Sequence, residues 1–172
     1  KAKLLLLELQ EKQQNFLRHP KLFLGTDGLN LSPKISKGEN YKGLPYLILD
    51  YPRVFKDTNI FAVRTMFWWG HFFSTTLHLS GDYKKISEDK IIASFPLLTG
   101  KDFFYCVNDT PWEHDFEAGN YLALTTISKT ELEKRIREKP FIKLAIKIPL
   151  HQWHDAPDIL FNYFRGIIEM LD

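Results

Sequence analysis

The chain carries one cysteine, Cys106, in 172 residues. That excludes an intrachain disulfide and any zinc cluster built on several thiolates. A lone thiol fits a reducing compartment. No apolar run approaches the roughly 18 residues of a membrane span. The tetrad Leu4–Leu7 falls short of the hydrophobic centre of a secretory signal, about 7–15 residues. Excess charge of one sign is lacking too: 23 Lys+Arg stand against 21 Asp+Glu, for a net charge of +2. No global field therefore favours nucleic acid or an anionic membrane. Walker loop, GxGxxG, GxSxG and HExxH motifs are all missing, which removes the common nucleotide, dinucleotide, hydrolase-elbow and zincin readings. Together these absences predict a cytoplasmic protein without a membrane or nucleic-acid partner. The first residue is Lys1 rather than Met, which leaves room for an upstream segment. No feature names a cofactor or an oligomeric state.

What is present is aromatic mass. Hydrophobic content of 44% and charged content of 26% are ordinary, but aromatic residues make up 15%. The length suits one domain with a proper core. The rings concentrate in NIFAVRTMFWWGHFFSTTLHLS, Asn59 to Ser80. Two apolar runs flank Gly70-His71 and are rich in residues that suit a pleated surface. The pattern predicts a β-hairpin with Gly70 leading a two-residue type II′ turn. That register sets Trp69 opposite Phe72, Phe67 opposite Ser74, Thr65 opposite Thr76 and Val63 opposite His78. Arg64 then falls on the other face, with Met66, Trp68, Phe73 and Leu77. A one-residue bulge would bring Arg64 and His78 together.

Both faces of this hairpin are largely apolar, so it belongs in the middle of a sheet covered on each side. Its polar residues are then informative. On the structural reading, Arg64 meets a carboxylate and His78 a backbone carbonyl. On the functional reading, rings wall a pocket and a few polar groups orient a ligand.

The remaining elements follow from periodicity. Ala2 to Arg18 read as a helix with Leu5, Leu9 and Phe16 inward and Gln13 on the wet face. Residues 26–43 read as a long loop. Leu44 to Tyr51 read as a strand that places Tyr46, Ile48 and Asp50 on one face. Asp50 is the preferred structural partner of Arg64. Ser87 suits the N-cap of a helix from Glu88. Short strands follow at Phe103–Val107 and Tyr121–Thr125, joined by a polar loop around Trp112. That Trp reads as a packed plug or, failing that, a pocket wall. Ser128 and Glu131 form a capping box. Phe141 to Leu150 alternate, with Lys143 and Lys147 on a wet face. Asp155 caps a last helix carrying Leu160, Phe164, Ile167, Ile168 and Leu171 inward. The expected fold is α+β, with a mainly antiparallel sheet of about six strands packed by about four helices.

Three constellations could carry chemistry. Glu113-His114-Asp115 and His151/His154 contain metal-binding residue types, but their spacing favours a solvated loop and a helix start, so no metal is expected. Asp50, Arg64 and His78, with Ser74 or Thr76, contain the residue types of nucleophilic catalysis, without an elbow to strain the hydroxyl.

The leading expectation is binding of a small, largely apolar ligand with an anionic group. Its candidate contacts are Arg64, His78, Thr76, Ser74, Trp68, Trp69, Asp50 and Trp112. The alternative is a non-catalytic interaction module using the hairpin or the first helix. An enzyme of unspecified reaction is third.

Overall fold

The computed structural model of the protein describes residues 1–18 and 32–172. Seven strands form one sheet in the order β1-β2-β3-β4-β7-β5-β6. They are β1 (Lys34–Tyr41), β2 (Leu44–Lys56), β3 (Asn59–Trp68), β4 (Phe72–Ser80), β5 (Phe104–Cys106), β6 (Tyr121–Ala123) and β7 (Phe141–Pro149). Every pairing is antiparallel. The helices are α1 (Ala2–Leu17), α2 (Gly81–Ala93), α3 (Phe95–Gly100), α4 (Lys129–Glu138) and α5 (Ala156–Leu171). The α+β class is as expected, with one strand more. Among the described residues no helix is long and apolar enough to cross a membrane.

The aromatic hairpin lies at the centre, but its register differs from the expected one by a residue. Arg64 faces Thr76, Ala62 faces His78 and Phe67 faces Phe73. The cause is the turn, which has three residues instead of two. His71 N–H donates to the Trp68 carbonyl at 3.1 Å, and Gly70 takes the positive φ of +72°. A side chain there would be strained, so the glycine is needed, but one position later in the turn than a II′ geometry requires. The extra residue moves every partner of β4 by one, which moves its side chains to the opposite set of cross-strand neighbours.

The alternate residues of the sheet now sort cleanly. Leu47, Leu49, Phe61, Val63, Phe67, Phe73, Leu77, Leu79, Ile142, Leu144 and Ile146 are buried in one large core, to which all five helices contribute. The α5 stripe of Leu160, Phe164, Ile167, Ile168 and Leu171 lies in that core, as its spacing predicts. The other face carries two smaller clusters, Ile48–Met66–Trp68 and Cys106–Tyr121–Phe141–Ala145. Residues 107–120 cross over this second face and form a strap.

Several boundaries differ for local reasons. Residues 34–41, expected within a loop, form the edge strand β1; residues 26–31 lie outside the described residues. Here pairing with β2 overrides weak strand propensity. Gly38 permits it, because a Cβ there would sit 2.1 Å from the Tyr46 ring. Strand β2 continues past Pro52 through a register shift between Asp50 and Arg53, where a proline need not donate to the ladder. Helix α2 starts at Gly81 instead of Glu88, because Asn59 Oδ1 accepts from the Asp82 N–H at 2.9 Å. A cap supplied from the neighbouring strand replaces the expected Ser87, which is buried inside the helix. The Ser128 capping box forms, with Ser128 Oγ accepting from the Glu131 N–H at 3.1 Å. Asp155 precedes α5 without a side-chain cap. Gln13, expected wet, is buried at 1% exposure, its Oε1 without a partner.

Candidate functional site

The observed register gathers the hairpin's polar residues. Ser74, Thr76 and His78 of β4 share the strap face with Arg64, Met66 and Trp68 of β3, since Arg64 pairs with Thr76 and Met66 with Ser74. Lys143 and Lys147 of β7 stand opposite His78 and Ser74 on that same face. Expected Phe–Ser and Val–His pairs are replaced by a concentrated polar row.

Asp50 and Arg64 pair as expected. Arg64 Nε and Nη2 donate to Asp50 Oδ1 and Oδ2 at 2.7 and 3.0 Å. The geometry is bidentate and mostly buried, the arrangement in which a guanidinium holds a carboxylate best. It occupies both carboxylate oxygens, so Asp50 orients Arg64 and not His78. An Asp–His–hydroxyl relay is therefore not assembled. His78 is buried at 7% exposure. Its ring meets Trp112 at 5.5 Å and Phe141 at 5.9 Å. The expected backbone-carbonyl partner of His78 is not found: its ring nitrogens have no hydrogen-bond partner among the described residues.

The strap is fixed by backbone groups meeting side chains of the sheet. Lys143 Nζ donates to the carbonyls of Pro111 and Glu113 at 2.7 and 2.5 Å, and Lys139 Nζ donates to that of Asn108. Asn120 Nδ2 donates to the Asp115 carbonyl at 2.5 Å. Tyr41, at the end of β1, accepts from the His114 and Asp115 N–H groups at 2.8 and 3.2 Å. Its hydroxyl lies 2.8 Å from Glu113 Oε2 and 2.9 Å from Asp115 Oδ2. Lys42 joins Asp115 at 2.9 Å. Burial would push the Asp115 carboxyl up, but Lys42 and the surrounding donors hold it below the usual range. The Glu113 and Asp115 carboxylates thus converge on a tyrosine. Among the described residues no group of three His, Cys, Asp or Glu is placed to hold a metal.

Between strap and sheet lies a pit lined by Phe55, Ala62, Arg64, Thr76, His78, Pro111, Trp112, His114 and Lys143. Its space totals ≈ 270 Å³ including the part open to solvent, and the room for a water's centre is ≈ 10 Å³, about one water molecule. No carboxylate is among the lining residues. Its electrostatics follow from that. Burial first, then the charges of Lys143 and Arg64, push His78 down to about 4 and His114 to about 3. Burial likewise pushes Lys143 down to about 8. Lys143 had been expected on a wet face, yet it is buried at 3% exposure, because the strap covers it. Lys147, farther along β7, remains exposed. Trp112 is no plug: half of it is exposed, and with Phe55 it forms the apolar rim.

The candidates thus divide. Arg64, Thr76, His78 and Trp112 meet in the pit, and Asp50 supports Arg64 from beside it. Ser74 lies on the same face but does not line the pit. Trp68 belongs to a separate open cleft with His71, Phe72, Phe116 and Lys147. Its ring stacks on His71 at 3.7 Å, and its Nε1 has no partner. Trp69 is away from both and packs against Phe67 at 4.4 Å, in the large core's direction. Sequence reasoning missed Phe55 and Lys143, and took His114 only as part of a solvated loop. The alternation of β7 put Lys143 on the wet face of its strand; pairing sets it opposite His78, and the covering strap makes that position dry.

No family model matches the chain, and no curated protein or solved structure shows a significant similarity to it.

Proposed function

We propose that this protein binds a small, largely apolar ligand bearing a carboxylate or phosphate, with the anionic end in the pit. One observation supports the reading: four side chains of basic type, Arg64, His78, His114 and Lys143, line the pit and no acid does. Lys143 supplies a buried cation whose hydrogen bonds go to neutral carbonyls. Arg64 has N–H groups beyond those Asp50 takes, and His78 has free ring nitrogens. Such a site favours an anion, since an uncompensated buried cation is costly and an incoming negative charge offsets it. Phe55 and Trp112, 44% and 51% exposed, would flank the apolar body. The small interior limits what enters to the charged end unless the Trp112 side of the strap lifts.

The test is a thermal-shift series of acetate, benzoate, octanoate and phenyl phosphate, run on the wild type and on Trp112→Ala. Benzoate and phenyl phosphate should raise the melting temperature, with the gain reduced in Trp112→Ala. If no compound stabilises the wild type, the ligand reading fails.

A second reading, an interaction module, draws on α1, where Leu4 and Leu7 are 69% and 41% exposed. It calls for self-association that rises with concentration and disappears in Leu4→Glu. Sedimentation as a monomer throughout would remove self-association from this reading.

A further inference from the structure

Resting on the reading of the pit as an anion site, we propose that, with the strap closed, the pit binds one monoatomic anion of the halide class, held between Lys143, Arg64 and His78. Size is the first argument. The room for a water's centre is ≈ 10 Å³, about one water molecule. A whole carboxylate or phosphate exceeds that space while the strap is down. A halide is a single atom and needs no opening of the strap to be accommodated.

The second argument is the supply of donors. Arg64 and Lys143 carry N–H donors and no acceptor. Arg64 gives one N–H from Nε and one from Nη2 to Asp50, so more than half of its fork remains. Lys143 Nζ donates to the Pro111 and Glu113 carbonyls at 2.7 and 2.5 Å, with the Tyr121 ring centroid 5.2 Å away. These contacts suit an ammonium, and a folded value of about 8 leaves it charged at neutral pH. His78 is 7% exposed and lines the pit, and its ring nitrogens have no hydrogen-bond partner among the described residues. A neutral imidazole still offers one N–H. A water in this lining must also place two hydrogens of its own, whereas a halide accepts from every side.

Charge is the third argument. Asp50 offsets Arg64 from beside the pit. The carboxylates nearest on the strap are engaged elsewhere: Glu113 Oε2 and Asp115 Oδ2 lie 2.8 and 2.9 Å from the Tyr41 hydroxyl, and Asp115 also pairs with Lys42. The hydrogen bonds of Lys143 go to neutral carbonyls. It therefore keeps a buried charge that only dipoles compensate, and an anion in the pit lowers that cost. Ala62, Pro111 and the rings of Phe55 and Trp112 complete the wall and keep bulk water from screening the ion.

The experiment titrates sodium bromide into isotope-labelled wild-type protein, with sodium gluconate at matched ionic strength as the control, and follows the histidine ring nitrogens by NMR. Those of His78 and His114 should shift saturably with bromide and stay still with gluconate, while the exposed His151 and His154 should not move. Lys143→Met should weaken bromide binding by about tenfold or more, through loss of a charge-assisted hydrogen bond. No bromide-specific shift at His78, or equal shifts at His151 and His154, overturns the proposal without relying on any variant. Undiminished binding by a folded Lys143→Met overturns it as well. Stabilisation by benzoate without a bromide shift at His78 overturns the halide site and leaves the ligand reading standing. A saturable bromide shift with no stabilisation by any organic anion supports the halide site and removes the larger ligand.

Discussion

The two faces of the sheet are built from the same strands and behave as different materials. On the helix face, Leu77, Phe73 and Leu79 have no exposure and interlock with five helices. On the strap face, alternate residues of those strands meet a segment with little regular structure, tied down by side chains reaching backbone carbonyls. The first arrangement gains from area removed from water and tolerates few gaps. The second depends on hydrogen bonds and ion pairs, which contribute less net stability and leave polar atoms close to a cavity. Stability is therefore expected to reside on the helix side, and the binding proposed above on the strap side.

The sharpest test of this contrast is truncation. Leu77→Ala should cost roughly 2–5 kcal/mol, the range for a fully buried leucine. Trp112→Ala, removing a much larger but half-exposed side chain, should cost under about 1 kcal/mol. Urea unfolding of the two variants decides it, and equal losses would erase the distinction.

The ion pair comes next. Asp50→Ala leaves Arg64 without its carboxylate and should cost about 2–4 kcal/mol, somewhat below a fully buried pair because Arg64 retains some exposure. The double variant Asp50→Ala/Arg64→Met should recover most of that loss, measured as a double-mutant cycle.

Acid should then weaken the strap face selectively. His78 titrates near 4 in the folded protein against 6.5 for an ordinary histidine. Between those pH values the unfolded chain binds a proton that the fold refuses, so stability falls as pH drops. The slope from this one group is at most about 1.4 kcal/mol per pH unit. Below the folded value the loss levels off. His78→Gln should flatten the profile by that amount, read from urea midpoints at successive pH values.

The smallest effect runs in the opposite direction on the helix face. Thr65 and Thr75 are paired across β3 and β4, and both hydroxyls are buried without partners. Thr65→Val replaces an unsatisfied group by a methyl of similar shape and should stabilise by about 1 kcal/mol. A destabilised variant would show that the hydroxyl has a partner after all.

These faces were only partly legible in the sequence. Helix stripes, the Ser128 cap and the Asp50–Arg64 pair follow from local spacing and from the cost of a lone buried charge. The edge strand β1 does not, because its residues have little strand character and fold through pairing with β2. The pit was half visible: Arg64, Thr76, His78 and Trp112 stand out as polar or aromatic residues in unusual company. Their convergence depends on register, and Gly70-His71 alone suggested the shorter turn. Lys143 looked solvated because alternation tells which way a side chain points, not what lies beyond it.

The three residues Trp69, Gly70 and His71 thus act as a counter. Remove one, and β4 must either turn over like a flipped comb, sending His78 and Thr76 among the leucines, or strain against β7. Substitutions at the tooth tips, Thr76 or Ser74, leave the comb in place, whereas a change in the count does not. The length of one tight bend would then be the least negotiable part of the molecule, although none of its three residues lines the pit.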